Sequence, residues 1–206
     1  MYRPPAFRID DEAFAVVDAR PLAQLVVIDA DGRPAATPVP LVRRGDALVG
    51  HLARGNPVWK QSGPALAIFA AADAYVSPRW YVNKPVDGKV VPTWNYTTVH
   101  VHGTLVAHDD PGWTLDLVTF LTDRMEANDP AAGGAAPWRV ADAPADYVDG
   151  LVRAIVGIEL VGLRVEGKAK LSQNRDATDR ARVTAGLANG SSAAQAVALA
   201  MQDSGS

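Results

Sequence analysis

The feature that most constrains this chain is the segment at residues 90–105, VVPTWNYTTVHVHGTL, which combines a β-strand composition with many polar and aromatic side chains. Side chains alternate between the two faces of a strand. Val99, Val101, Gly103 and Leu105 therefore share an apolar face that we expect to meet the core. The opposite face carries Tyr96, Thr98, His100, His102 and Thr104. A face of this kind is usually covered by a ligand or a partner subunit.

The histidines of this segment raise the question of a metal site. His100 and His102 point the same way, and His108 is available as a third ligand. The alternative is a set of hydrogen-bonding or interface histidines. Since no cysteine or carboxylate lies at a telling spacing, we expect no metal. A general-base role is also open, but HGT is not the G-x-S-x-G elbow of acyl-transfer enzymes.

Composition and charge exclude several classes of protein. The 206 residues are 48% hydrophobic and 21% charged, which suits one large domain or a domain with an appendage. A net charge of -3 argues against a protein that coats nucleic acid. The absence of cysteine excludes disulfides and thiolate metal sites. Because we find neither an apolar signal region nor a run of about 18 apolar residues, we expect a cytoplasmic protein without membrane contact.

Periodicity predicts an α+β protein in which several strands precede the main helices. Predicted strands lie at 24–29, 33–42, 47–52, 65–70, 74–77, 90–105 and 156–167, and a turn at Asp29–Gly32 joins the first two. Asn56 and Pro57 suit the start of a short helix. Longer helices are predicted at 112–127, at 143–155 with Asp142 as a possible cap, at 175–190 and from Ser191 or Ser192 to Met201. The stretch 128–137 is predicted to be flexible.

Two polar segments are candidate ligand sites. Residues 50–60 place His51, Arg54, Asn56 and Lys60 around a strand end and a helix start, which suits either a phosphate site or ordinary capping. Residues 164–182 hold six basic and three acidic residues, and KLSQNR at 170–175 has donors for an anion or a heterocycle edge. The alternative is a solvated turn before a helix.

The two C-terminal helices have the outline of a helix–turn–helix. The second of them, 192–201, contains no lysine or arginine, whereas a recognition helix needs side chains that reach bases and phosphates. We therefore expect it to be a packing helix.

Several segments follow one another in the order and spacing of a known family. The most specific are HLARGNP at 51–57, VPTWNY at 91–96 and KLSQNR at 170–175. MYRPPAF at the N-terminus and AYVSPRWY at 74–81 accompany them. The chain thereby resembles the PaiB-like FMN-binding negative transcriptional regulators, nearly end to end.

The resemblance implies an antiparallel split β-barrel of the pyridoxamine-phosphate-oxidase type. It implies a barrel domain at 1–175 with helices inserted at about 111–155, and a C-terminal helical segment at 176–206. It also implies a homodimer with FMN in the crevice between subunits. By motif position, the FMN-binding residues are Thr37, Pro38, Val39 and Pro40 along the ring edge, His51, Arg54 and Asn56 at the phosphate and ribityl chain, Trp59 and Tyr81 beside the ring, Thr93, Trp94 and Asn95 in the crevice, and Lys170, Gln173 and Arg175 from the partner.

Three functions follow as hypotheses. The first is a dimeric, FMN-binding transcriptional regulator that binds DNA in a salt-dependent manner and is not an enzyme. The second is a flavin- or haem-dependent oxidoreductase on the same barrel, with His51, His100 or His102 as haem ligand or proton donor. The third is a cofactor-free interaction module, because fold alone does not decide function.

Overall fold

The structure is a computed structural model that describes residues 1–127, 134 and 136–204. The chain divides into two compact units. The first, here called the terminal unit, comprises Met1–Arg20, Phe69–His100 and Val165–Ser206. The second, here called the central unit, comprises Pro21–Ile68 and Val101–Arg164.

The described residues contain one seven-stranded sheet. Its strands are β1 (Leu22–Ile28), β2 (Pro34–Pro40), β3 (Val42–Arg44), β4 (Ala47–Ala53), β5 (Gly63–Val76), β6 (Thr93–His108) and β7 (Ile155–Lys170). They are ordered β2-β1-β5-β6-β7-β4-β3. β1 pairs antiparallel with β2, and β4 pairs antiparallel with β7, where His51 lies opposite Gly157. The predicted antiparallel sheet is confirmed.

Turn chemistry explains one strand connection and one wrong prediction. Asp29 accepts hydrogen bonds from the backbone N–H groups of Asp31 and Arg33, and Gly32 adopts a φ of 77° in the predicted turn between β1 and β2. The predicted strands 65–70 and 74–77 are one strand, β5. Ala71–Asp73 contains no glycine or proline, so nothing in that stretch interrupts an extended backbone.

Five α-helices lie in the described residues. They are α1 (Ala13–Ala19), α2 (Pro111–Glu126), α3 (Ala145–Arg153), α4 (Ala177–Ala188) and α5 (Ser192–Asp203). Asp110, Asp176 and Ser191 accept backbone N–H bonds at the starts of α2, α4 and α5. Asn56 does the same for a 3₁₀ turn at Pro57–Lys60, so the predicted cap is confirmed.

Asp142 does not cap α3 as predicted. Its carboxylate accepts a hydrogen bond from the backbone N–H of Arg139 at 2.8 Å, which closes a short 3₁₀ turn at Val140–Asp142. Pro144 takes the N-cap position of α3 instead, without a side-chain cap bond. The predicted flexible stretch 128–137 lies mostly outside the described residues.

The core of the terminal unit is built on the two C-terminal helices. Val183 and Leu187 of α4 and Val197 and Met201 of α5 are buried in one cluster, which also contains residues of β5 and β7. Full burial of an aliphatic side chain contributes about 1.5–3 kcal/mol. The prediction that α5 is a packing helix is therefore confirmed.

The central unit has an aliphatic core of its own. Its fully buried side chains include Leu25, Leu48, Leu105, Ile158 and Leu160, which come from four different strands. No helix in the described residues is long and apolar enough to cross a membrane.

Candidate functional site

Strand β6 has the two faces that its sequence predicts. Val99, Val101 and Leu105 are at most 1% exposed, whereas His100 and His102 on the other face are only half-buried. Asn95 lies on the same face, nearer the start of the strand, and is fully buried although its side chain is polar. A buried amide in line with a core face needs hydrogen-bond partners.

A cavity of about 130 Å³ in the terminal unit collects several predicted site residues. Its lining consists of Tyr81, Val91, Pro92, Thr93, Asn95, Lys170, Ser172, Asn174 and Arg175. The segments VPTWNY and KLSQNR, which lie far apart in the sequence, thus meet at one place. The link between them is Lys170, whose ammonium donates to Thr93 Oγ1 at 2.5 Å and to the carbonyl oxygen of Trp94 at 2.6 Å.

The cavity has a cationic lining. Burial lowers the pKa of Lys170, and the positive charges of Lys168 and Arg175 lower it further. The guanidinium of Arg175 lies over the Tyr81 ring, 4.6 Å from its centroid. Within the described residues, neither Lys170 nor Arg175 forms an ion pair with a carboxylate. The two cations are therefore free to meet an anionic ligand.

Buried polar groups surround these cations. The Asn95 amide donates to Ser172 Oγ at 3.0 Å, and the Ser172 hydroxyl lies 3.2 Å from Asn95 Oδ1. Ser172 has a φ of 62°, a left-handed conformation that is uncommon for residues other than glycine. The hydroxyl of Tyr81 is buried, and no hydrogen-bond partner for it exists among the residues that the structure describes.

Two predicted members of this group do not line the cavity. Gln173 bonds the backbone of its own strand end, accepting from the Leu171 N–H and donating to the Ala169 carbonyl oxygen, both at 2.7 Å. Trp94 points to solvent, is 53% exposed and makes an edge contact with Tyr75 at 6.1 Å between ring centroids.

The other predicted residues belong to the central unit, where Arg54 is already engaged. Its Nε donates to the carbonyl oxygen of Arg153 at 2.7 Å, and its Nη2 donates to that of Ile155 at 3.1 Å. Nη2 also pairs with Asp109 at 2.8 Å. The hydrogen bond between them raises the pKa of Arg54 and lowers that of Asp109.

The neighbours of Arg54 are also held by internal bonds. Asn56 caps the 3₁₀ turn and donates from Nδ2 to Thr37 Oγ1 at 3.0 Å. Trp59 donates from its indole nitrogen to the carbonyl oxygen of Arg54 at 2.9 Å. The segment 37–40 lies on β2 at one end of the sheet order, with Val39 buried and its two prolines, Pro38 and Pro40, exposed. Prolines are tolerated on such edge strands.

His51 lines a second cavity, of about 330 Å³, in the central unit. The rest of its lining comes mainly from α2, α3 and the residues beside them, and includes Val118, Tyr147, Leu151 and Val152. The side chain of His51 is itself exposed, and the partial burial that it does have lowers its pKa. Sequence reasoning missed this cavity. The signal available was the apolar face of 145–153, on which Tyr147 and Leu151 are more than half exposed.

Comparison with known proteins decides the family. Residues 1–162 match a family model described as "Putative FMN-binding domain". This chain belongs to that family. Protease synthase and sporulation protein PAI 2 of Bacillus subtilis is 28% identical over 200 residues, which cover 92% of this chain and 90% of that protein.

Further similarities agree with this assignment. An uncharacterized protein of Emericella nidulans is 33% identical over 168 residues, which are 78% of this chain and 66% of that protein. The solved structure of the FAD and heme binding protein from Mycobacterium smegmatis has a TM-score of 0.58 at 19% identity, covering 89% of this chain and 80% of that chain.

These findings confirm three expectations from the sequence. The resemblance to the PaiB-like family is confirmed by the family match and the PAI 2 relative. The split-barrel α+β fold is confirmed by the structural similarity and the antiparallel sheet. FMN is the cofactor of the family to which the chain belongs.

Proposed function

We propose that this chain is an FMN-binding, cytoplasmic homodimer that regulates transcription. The observation that carries the ligand-binding part is the terminal-unit cavity, where Lys170 and Arg175 face a small space without a paired carboxylate among the described residues. Arrangements of this kind favour phosphate and other anions. When bound, FMN supplies a redox-active isoalloxazine ring.

The residues present fit the chemical groups of FMN. Lys170 and Arg175 offer donors to a phosphate, and the Tyr81 hydroxyl is an orphaned buried polar group that a ligand would satisfy. The exposed indole of Trp94 is suitable for stacking against an aromatic ring.

The homodimer is supported by exposed apolar side chains. Tyr75 and Trp94 form a contacting pair whose members are 47% and 53% exposed, and Val91 nearby in the sequence is 66% exposed. Apolar and aromatic groups of this kind are enriched at protein interfaces. Sedimentation at several concentrations tests this part: a species of twice the chain mass is expected, and a monomer throughout would refute it.

The regulatory role is supported by the end-to-end similarity to PAI 2, a protein whose name connects it with protease synthesis and sporulation. A DNA contact would have to use cations that the fold leaves available. Arg180 is not one of them, because it donates to the Met201 carbonyl oxygen and to Ser204. Arg182 on the exposed side of α4 is available.

Two measurements test the proposal. An absorbance titration with FMN should give a saturable flavin spectrum. Selection from a pool of random duplex DNA, with and without FMN, should then enrich a sequence whose affinity falls as salt rises. Flavin binding without DNA enrichment would remove the regulator and leave the flavoprotein.

The cavity at His51 favours a second candidate function, a flavin- or haem-dependent oxidoreductase. An imidazole whose pKa is lowered beside apolar walls favours its neutral form, which suits an axial haem ligand. The similar Mycobacterium smegmatis protein binds FAD and heme by its name. Titration with haemin should give a Soret band that His51→Gln weakens. If neither FMN nor haemin binds, the cofactor-free interaction module becomes the better hypothesis.

A further inference from the structure

The terminal-unit cavity is too small for a whole nucleotide. Sites that enclose small molecules measure about 300–1,000 Å³, whereas this one measures about 130 Å³. That is close to the roughly 150 Å³ of a cavity known to take benzene. Whatever enters the cavity is therefore a group of the size of a phosphate or a single ring.

The chemistry of the lining selects between these two groups. An ammonium has three donors, and Lys170 uses two of them on Thr93 and the Trp94 carbonyl oxygen. Arg175 has none of its guanidinium donors committed to an acceptor among the described residues. The remaining lining adds the Asn174 amide, whereas the one hydroxyl donor of Ser172 is used on Asn95. Unused donors and two positive charges suit an oxyanion and not an uncharged ring.

The count of unused donors also argues against a phosphate at Arg54, the position that the segment HLARGNP suggests. Arg54 in the central unit is already bonded to Asp109 and to two backbone carbonyl oxygens. A phosphate there would have to compete with a carboxylate and displace existing bonds. At Lys170 and Arg175 it would displace no ion pair with a described residue.

The backbone of KLSQNR holds the cations in place. Ser172 keeps its left-handed φ of 62° while bonded to the buried Asn95. The Arg175 N–H donates to the Ser172 carbonyl oxygen at 3.0 Å, so the turn between them is closed. Strained residues fixed by buried neighbours are typical of preformed ligand sites.

We propose that this cavity is a subsite for a phosphomonoester dianion, held by Lys170 and Arg175, and that it binds the phosphate of the flavin nucleotide. The second part rests on the proposed FMN-binding function. The charge of about −1.5 to −2 on a phosphomonoester at pH 7 matches the two cations. An anion in the cavity would also offset the burial and the repulsion from Lys168 and Arg175, which together lower the pKa of Lys170.

The test compares FMN, riboflavin and inorganic phosphate on the full chain by calorimetry. FMN should bind at least about 10-fold more tightly than riboflavin, since only FMN carries the phosphate. Arg175→Gln and Lys170→Gln should each weaken FMN by about 10- to 100-fold and change riboflavin by less than about threefold. Arg182→Gln is the matched control, because it removes the same charge from an exposed position of α4.

The possible outcomes distinguish a failure of the phosphate subsite from a failure of the FMN-binding function. Phosphate binding that Arg175→Gln abolishes, without flavin binding, would support the subsite and refute the FMN function. Arg175→Gln could instead bind FMN with the same preference over riboflavin as the unmodified chain. That outcome would refute the subsite and leave the FMN-binding function standing. No binding of phosphate or FMN would overturn both. Lys170 also bonds Thr93, so Lys170→Gln could disturb folding. In that case Arg175→Gln alone is the test of the subsite.

Discussion

The buried pair of Asn95 and Ser172 gives a prediction whose magnitude follows from its geometry. Asn95 is fully buried and Ser172 is 5% exposed, and two hydrogen bonds of 3.0 and 3.2 Å join them. We consider Asn95→Ala, Ser172→Ala and the double variant. Alanine at 172 keeps a Cβ in the left-handed conformation, so the strain there stays nearly the same and the change reports on the hydroxyl.

The expected energies differ between the variants. A neutral hydrogen bond contributes about 0.5–1.5 kcal/mol, and a stranded buried group costs about 1–3 kcal/mol. Asn95→Ala loses both bonds and strands the serine hydroxyl, so it should cost roughly 2–4 kcal/mol. Ser172→Ala should cost roughly 1–3 kcal/mol, because the Asn95 amide also lies 3.4 Å from Met201 Sδ. The double variant strands neither group and should cost roughly 1–2 kcal/mol less than the sum.

Urea unfolding of the full chain, followed by circular dichroism and by tryptophan fluorescence, measures these values. Coincident transitions are required before a free energy of unfolding is assigned. Ser192→Ala is the control, since that serine is exposed at the start of α5 and should change stability by less than about 0.5 kcal/mol. Costs that add within about 0.5 kcal/mol would show that Asn95 and Ser172 do not act as a pair.

Two further predictions concern the central unit. A Cβ added at Gly157 would lie 2.2 Å from the Trp113 ring, so Gly157→Ala should destabilise by about 1–3 kcal/mol. Gly150→Ala, in α3 with open space around it, should instead stabilise by up to about 1 kcal/mol, and equal effects of the two in urea unfolding would contradict the packing. Burial holds the pKa of His51 below its usual 6.5, so on acidification the unfolded chain takes up a proton more readily than the folded one. The His51 contribution to stability is therefore present above pH 6.5 and lost as pH falls through the folded pKa. His51→Gln should flatten melting temperature against pH between 7.5 and 5.5, and an unchanged slope would refute this.

Local rules were sufficient for much of the fold. The alternation at 99–105 fixed which side of β6 is buried, and Asn56, Asp176 and Ser191 start helical turns as their residue types predict. These features depend on neighbours within a few residues. Asp142 fails the same rule because the backbone of Arg139 competes for its carboxylate.

The candidate site was predictable only in part. The segments VPTWNY and KLSQNR identified Thr93, Asn95, Lys170 and Arg175, which the fold brings to one cavity. The commitment of Arg54 to Asp109 and to distant carbonyls depends on tertiary structure that no local spacing reveals. The cavity at His51 likewise depends on how α2 and α3 pack, and neither helix carried a polar signal of a site.

The bonds of Arg54 have a consequence for how this barrel can vary among relatives. Asp109 lies just before α2, while Arg153 and Ile155 lie where α3 ends and β7 begins. One guanidinium therefore links the residue before the inserted helices α2 and α3 to the residues that follow them. Closing a longer loop costs only about 0.6 kcal/mol per doubling of its length. Insertions and deletions between these two points should be tolerated more readily than the replacement of Arg54 by lysine, which lacks the planar fork.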